Sequence, residues 1–228
     1  MIKVPGTLAG IDAFRRLTAA GVSVNVTLLF SCERYRAIAD AYVAGLAERA
    51  AAGEAVDGVA SVASFFVSRI DSKVDALLPE GSPLRGAAAV ANAKIAYADV
   101  YQQVFSGAAW APLAAAGARP QKALWASTST KNPSYPTTLY VDPLIGPDTV
   151  NTVPDATLEA FRTDGTPART VDQGVAEARA TMAAIAAAGI DFGAVTRELE
   201  VEGVASFAKA YDGMIAAIAE KRAQIDAA

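Results

Sequence analysis

The chain has 228 residues, of which 53% are hydrophobic and 19% charged, with a formal net charge of −4 and no clustered basic stripe. It contains no histidine and one cysteine, Cys32, which excludes an internal disulfide, a Cys/His metal site and the histidine-dependent catalytic triads. Nucleic acid and anionic membranes are therefore not expected as partners, and no apolar run approaches the roughly 20 residues of a membrane span. We expect a cytoplasmic protein that acts on small polar substrates through lysine, carboxylate or hydroxyl groups.

Short β-rich runs alternate with long alanine-rich stretches of helical apolar spacing, a pattern typical of βα units around a parallel sheet. Five strands are predicted, at residues 2–5, 22–31, 61–71, 123–130 and 149–153. Helices are predicted at residues 8–20, 33–52, 83–105, 155–163, 171–188 and 192–227. The proline-rich segment 131–147 is predicted to be an ordered loop after the fourth strand. We expect one α/β domain.

Polar side chains recur on the predicted strands. In the second strand, Ser23, Asn25 and Thr27 alternate with apolar residues and therefore share one face. In a (β/α) barrel the active site lies at the carboxyl ends of the strands, so such residues are the first candidates for function.

Two consecutive strings carry a resemblance to a known family. Residues 2–7 (Ile-Lys-Val-Pro-Gly-Thr) and 25–31 (Asn-Val-Thr-Leu-Leu-Phe-Ser) resemble the lysine strand and the following strand of transaldolases, which are class I Schiff-base aldolases. Further matching strings follow in order at residues 63–71, 124–132, 148–154 and 199–204. The resemblance covers essentially the whole chain.

This resemblance implies a fold. Transaldolases are (β/α)8 TIM-type barrels with the lysine on the fourth strand, so residues 1–228 are expected to form a single partial barrel of about five βα units plus a C-terminal helix. The first three βα units are expected to be missing, together with the aspartate and glutamate that the family uses for proton transfer. An open sheet has two unpaired edges, through which the chain could self-associate.

The resemblance also implies an activity. It is the transfer of a dihydroxyacetone unit from fructose 6-phosphate or sedoheptulose 7-phosphate to an aldose phosphate, in the non-oxidative pentose phosphate pathway, without an external cofactor. Two alternatives stay open. One is a catalytically incomplete fragment or sugar-phosphate-binding half barrel, and the other is a lyase similar to fructose 6-phosphate aldolase. The long helices and the 131–147 loop favour transaldolase.

Catalytic roles are carried over residue by residue. Lys3 matches the Schiff-base lysine, and because only a neutral amine attacks a carbonyl, we expect Lys3 to be desolvated. Thr27 is implied to hold the catalytic water and Asn25 to bond the substrate. Ser64 would contact the hydroxyl end of the substrate.

Phosphate binding is implied at the following strand ends. Arg69 matches the phosphate-binding arginine, although it could instead pair with Asp71 or Asp75. Ser127 matches a second phosphate contact, and Lys131 stands in for a family arginine.

The remaining reactive and aromatic residues are expected to pack. Without a histidine partner, Cys32 is interpreted as a small buried side chain and not as a nucleophile. The aromatic residues Phe65, Phe66, Trp110 and Trp125 are likewise predicted to be core residues. No metal site is predicted.

Overall fold

The computed structural model describes residues 1–226, which contain one parallel sheet of five strands. The strands are β1 (Ile2–Pro5), β2 (Val24–Leu29), β3 (Ser61–Phe66), β4 (Lys122–Ala126) and β5 (Thr149–Asn151). They lie side by side in chain order, and every neighbouring pair is parallel. Consecutive order without a reversal is the arrangement of a barrel wall and differs from that of a doubly wound sheet. The predicted α/β class and the presence of five strands in this order are confirmed.

Helices connect the strands. They are α1 (Leu8–Ala19), α2 (Cys32–Ala51), α3 (Ser68–Leu77), α4 (Ala88–Ala96), α5 (Gln103–Phe105), α6 (Ala111–Ala115), α7 (Asp155–Asp164), α8 (Val175–Ala187) and α9 (Phe192–Asp226). A π-helical stretch, Tyr97–Gln102, joins α4 to α5, and a 3₁₀ turn, Asp142–Leu144, lies in the loop after β4.

The prediction of a strand over residues 61–71 was wrong in its second half. The chain leaves the sheet after Phe66, and α3 begins at Ser68. Ile70 and Val74, four residues apart, are buried on one face of this helix, as an amphipathic helix requires. The helix predicted at 83–105 begins only at Ala88, because the preceding residues 79–87 form a series of turns.

The core lies between the helices and one face of the sheet. Side chains alternate along the strands, and Val26, Ala63, Phe65 and Trp125 are fully buried on the helix-covered face. Phe65 and Trp125 pack edge to face, with ring centroids 6.1 Å apart. The prediction that the tryptophans and Phe65 and Phe66 are packing residues is confirmed, since all four are buried. Lys3, Asn25, Thr27 and Ser64 alternate with these core residues along the strands and therefore lie on the opposite face of the sheet.

The long helix α9 divides into a packed and an exposed part. Val195, Leu199 and Gly203 are buried, whereas every residue of 204–226 is exposed. Lys73 of α3 holds the packed part through ion pairs of 2.7 Å with each of Glu198 and Glu202. The exposed part carries apolar side chains at spacings of three and four residues, namely Val204, Phe207, Tyr211, Met214 and Ile218.

Within residues 1–226 no single helix has both the length and the apolar composition to span a membrane. Only α8 and α9 taken together, which meet at an angle of 92°, reach that length and composition.

Candidate active site

Three of the predicted site residues lie side by side on neighbouring strands. Lys3 of β1 is in register with Asn25 of β2. The hydroxyl of Ser64 on β3 donates a 2.7 Å hydrogen bond to Oδ1 of Asn25. The structure thus brings an amine, an amide and a hydroxyl from three strands onto one face of the sheet, and we call these three residues the amine row.

The environment of Lys3 differs from the expectation. Its side chain is exposed, because β1 is an edge strand that pairs only with β2 among the described residues. Its Nζ lies 5.6 Å from the centroid of the Phe207 ring on α9, which is within cation–π distance. The expected desolvation of Lys3 is therefore not provided by residues 1–226.

Thr27 lies at a buried and strained point of β2. It is 1% exposed, and its Oγ1 has no hydrogen-bond partner among the described residues. The next residue, Leu28, has φ of 61°, and the pairing of β2 with β3 shifts register between Val26 and Leu29. Positive φ is costly for a residue with a branched side chain, and such strain concentrates at functional sites. A buried hydroxyl without a hydrogen-bond partner is also uncommon in proteins, and it is the second unusual feature of this position.

Arg69 lies in the first turn of α3 and is half-buried. Its guanidinium carbon lies 4.9 Å from the centroid of the Phe66 ring, so the planar group is supported by an aromatic face. The alternative ion pair with Asp71 or Asp75 does not form, since the described residues show no salt bridge for Arg69. The N–H donors of the Arg69 guanidinium are therefore not engaged by a carboxylate of the described chain.

Ser127 follows β4 directly and has φ of 56°. Its Oγ lies 2.9 Å from Oγ of Ser68, and its carbonyl accepts a 2.9 Å hydrogen bond from the Ser68 amide. Because Ser68 precedes Arg69, these bonds join the ends of β3 and β4 beside the guanidinium-bearing turn.

Lys131 is exposed, and its Nζ donates a 2.7 Å hydrogen bond to Oγ of Ser129. It lines a pocket of about 280 Å³ together with Asp71, Asp75 and Tyr135. The structure thus places Lys131 in the loop after β4, next to α3.

The sequence interpretation missed a carboxylate pair beside these residues. Asp71 and Asp75 occupy one face of α3, and each accepts hydrogen bonds from a tyrosine of the loop after β4, Tyr140 and Tyr135 respectively. Burial raises the pKa of Asp71 to about 6, against hydrogen bonds that lower it. The spacing of two aspartates four residues apart could have indicated a shared helix face, but the segment was predicted to be a strand as far as residue 71.

Cys32 is half-buried at the first turn of α2, with Sγ 3.7 Å from Oδ1 of Asn92. Burial raises the pKa of the thiol to about 12, so it stays protonated at neutral pH. This agrees with the interpretation of Cys32 as a packing residue.

Comparison with known proteins places this arrangement in a family. The family model for transaldolase/fructose-6-phosphate aldolase matches residues 1–218. A transaldolase of Thiobacillus denitrificans is 50% identical over 223 residues, which cover 96% of this chain and 62% of that protein. A transaldolase of Parafrankia sp. is 49% identical over 226 residues, covering 96% and 61%, and transaldolase 1 of Streptomyces avermitilis is 48% identical over 225 residues, covering 96% and 59%.

The chain therefore spans about three fifths of the length of these curated relatives. The fold agrees with the match, because a five-stranded parallel sheet in consecutive order is part of the wall of a TIM-type barrel. The family model covers far more than half of the chain, and the chain belongs to the transaldolase/fructose-6-phosphate aldolase family.

Proposed function

We propose that this chain carries the Schiff-base half of a transaldolase site. The reaction is the transfer of a dihydroxyacetone unit from a ketose phosphate, such as fructose 6-phosphate or sedoheptulose 7-phosphate, to an aldose phosphate. The observation that carries the proposal is the amine row, in which Lys3, Asn25 and Ser64 stand on adjacent strands of one sheet face.

In the proposed mechanism, the neutral amine of Lys3 adds to the ketose carbonyl, and loss of water gives an iminium ion. The electron pair of the C3–C4 bond, one bond beyond the iminium carbon C2, moves into the iminium, so the aldose phosphate leaves and a three-carbon enamine remains on Lys3. The enamine carbon then attacks the acceptor aldehyde, and water hydrolyses the new iminium. Asn25 and Ser64 bond the sugar hydroxyls, and the buried hydroxyl of Thr27 positions the water.

The phosphate is proposed to bind where β3 and β4 end. Arg69 offers a guanidinium fork without an ion pair in the described chain, and Ser127 and Lys131 add a hydroxyl and an ammonium. The proton transfers need acid and base carboxylates, which we propose come from outside residues 1–228.

Borohydride trapping tests this proposal. The chain is incubated with fructose 6-phosphate and sodium borohydride, and the adduct is located by peptide mass analysis. Lys122 provides a matched control, since it lies level with Lys3 across the sheet through the register of Lys3 with Asn25, of Asn25 with Val62 and of Val62 with Lys122. We expect a sugar adduct on Lys3, with six carbons where the donor is trapped before cleavage and three carbons where it is trapped after cleavage, that is lost in Lys3→Arg and kept in Lys122→Arg. Adducts spread over both lysines, or none on a folded chain, would refute the proposal.

The first alternative is an incomplete fragment or sugar-phosphate-binding half barrel. The exposed position of Lys3 on an edge strand favours it, because the described chain does not shield this amine from water as the Schiff-base role requires. It predicts fructose 6-phosphate binding without an adduct. The second alternative, a lyase similar to fructose 6-phosphate aldolase, predicts release of free dihydroxyacetone in the absence of an acceptor aldehyde.

The proposed setting is the pentose phosphate pathway in the cytoplasm, with sugar phosphates as the partners and without an external cofactor. Residues 1–228 are proposed to form a single partial-barrel domain. The outer edges of β1 and β5 are unpaired in the described chain, and we propose that they are sites of self-association.

A further inference from the structure

Two carboxylates on α3 join the loop after β4 to the segment around the start of α4, one to the first turn of the helix and the other to the turn that precedes it. Asp71 accepts a 2.8 Å hydrogen bond from the amide of Ala89 on one oxygen and a 2.9 Å hydrogen bond from the hydroxyl of Tyr140 on the other. Asp75 repeats this arrangement with the amide of Gly86 at 2.9 Å and the hydroxyl of Tyr135 at 2.6 Å. The four hydrogen bonds form two parallel clamps, because residues four apart on a helix share a face.

Both carboxylates of the clamps are buried. Asp71 is 1% exposed and Asp75 is 7% exposed. Neither carboxylate forms a salt bridge within residues 1–226, and the nearby Arg85 donates instead to the backbone carbonyls of Asp75 and Leu78. A buried carboxylate without a cation depends on its hydrogen bonds, so the two tyrosine hydroxyls are strongly held.

The loop that the clamps hold contains one of the proposed phosphate-binding residues. Tyr135 and Tyr140 belong to the same loop as Lys131, which lines the pocket formed by the two carboxylates. Asp71 and Asp75 belong to α3, the helix whose first turn bears Arg69, although Arg69 lies on a different face of that helix. The clamps therefore tie the segment that bears Lys131 to the helix that bears Arg69.

We infer that Asp71 and Asp75 are positioning residues that fix the loop 131–147 through Tyr140 and Tyr135, and so hold Lys131 in place for the phosphate group of a sugar phosphate. This inference rests on the proposed function. It predicts that loosening the clamps harms recognition of the phosphate group and leaves the chemistry at Lys3 unchanged.

The test compares a phosphorylated with an unphosphorylated donor. Adduct formation on Lys3 is followed by borohydride trapping with fructose 6-phosphate and, separately, with fructose. The variants are Tyr135→Phe, Tyr140→Phe and the double variant, which remove only the hydroxyls. Tyr42→Phe is the matched control, since its buried hydroxyl bonds the carbonyls of Val59 and Arg119, at the opposite ends of β3 and β4.

We expect the double variant to form the fructose 6-phosphate adduct about tenfold more slowly, the factor that corresponds to loss of roughly one charge-assisted hydrogen bond. The fructose rate should stay unchanged, and Tyr42→Phe should change neither rate. Hydrogen exchange of residues 131–147 should rise in the clamp variants. If the double variant does not fold, the single variants supply the same comparison.

The outcomes separate the two proposals. An unchanged preference for fructose 6-phosphate in folded clamp variants, or an equal fall with both sugars, would overturn the inference and leave the proposed function standing. If the wild-type chain forms no adduct with either sugar, the proposed function fails, and the positioning inference fails with it.

Discussion

The hydroxyl of Ser64 donates a 2.7 Å hydrogen bond to Oδ1 of Asn25 and joins the third strand to the second beside Lys3. An amide whose oxygen is engaged keeps two N–H donors for other partners. The bond therefore fixes the orientation of Asn25 as a donor, which suits the hydroxyl and carbonyl oxygens of a sugar.

Replacement of Ser64 by alanine should remove this hydrogen bond, so that the orientation of the Asn25 amide is no longer fixed. We expect a loss of about 1 kcal/mol in the free energy of unfolding, typical of one hydrogen bond, and about tenfold slower trapping of fructose 6-phosphate on Lys3. Ser61→Ala is the matched control, because Ser61 lies on the same strand but on the helix-covered face, where its hydroxyl bonds the carbonyl of Val24 at 2.8 Å. Because Ser61 Oγ also accepts a 2.8 Å hydrogen bond from Nε2 of Gln121, Ser61→Ala should lose more stability than Ser64→Ala and still keep its trapping rate. Equal rates for both variants would argue against a substrate role for Ser64.

Replacement of Thr27 by valine should separate stability from activity. The Thr27 hydroxyl is buried without a partner, so an apolar group of the same shape should raise the free energy of unfolding by about 1 kcal/mol. If this hydroxyl positions the water, multiple turnover, measured with the acid and base carboxylates proposed to lie outside residues 1–228 restored, should fall by about one to two orders of magnitude, the scale of a lost catalytic contact. Urea unfolding and steady-state kinetics measure the two effects.

Thr18 offers the control for this experiment. It is a second buried threonine whose hydroxyl has no partner in the described chain, and it lies on α1, outside the amine row. Thr18→Val should gain similar stability and leave turnover unchanged. A loss of turnover in Thr18→Val as large as that in Thr27→Val would show that the effect comes from general packing.

Much of the sheet could be predicted because its signal is local. Alternation of Asn25 and Thr27 with apolar residues gave both the second strand and the face that bears the polar groups. The end of the third strand could not be read in this way, because Ser64 to Val67 is a β-type run and the helical spacing of Ile70 and Val74 becomes visible only when both are known to be buried. Local propensity thus extended the strand into the first turn of α3.

The environment of the site depended on contacts that are distant in sequence. The bonds of Tyr135 to Asp75 and of Tyr140 to Asp71 span 60 and 69 residues, and no local pattern indicates them. The expected burial of Lys3 failed for a related reason, since an edge strand is covered only by a further element. The sequence could indicate which residues belong to the site, but it could not indicate how far each of them is exposed to solvent.

The contact between α1 and α2 depends on Gly45. A Cβ at this position would lie 2.6 Å from the backbone oxygen of Arg15 and 2.8 Å from Cβ of Thr18. We expect Gly45→Ala to lower the free energy of unfolding by about 1–3 kcal/mol, because the backbone cannot yield as a flexible side chain would. Gly213 in α9 has no heavy atom within 4 Å of such a Cβ, and Gly213→Ala should raise stability by about 0.5–1 kcal/mol through helix propensity. Equal effects of the two substitutions in denaturant unfolding would contradict the close helix contact.

The carboxyl of Asp71 should make stability depend on pH in a defined direction. Burial raises its pKa from the ordinary value of 3.8 to about 6, so between these values the folded chain holds a proton that the unfolded chain has released. The stability contributed by protonated Asp71 is therefore fully present below about pH 4 and is lost as the pH rises through about 6. Asp71→Asn carries no such proton and provides the reference.

We expect the difference in the free energy of unfolding, wild type minus Asp71→Asn, to fall by on the order of 3 kcal/mol between about pH 4 and pH 7. Urea unfolding at closely spaced pH values measures it. A difference that stays flat would show that folding does not shift this pKa, and one that rises with pH would show that the hydrogen bonds from Ala89 and Tyr140 outweigh burial and hold Asp71 ionised.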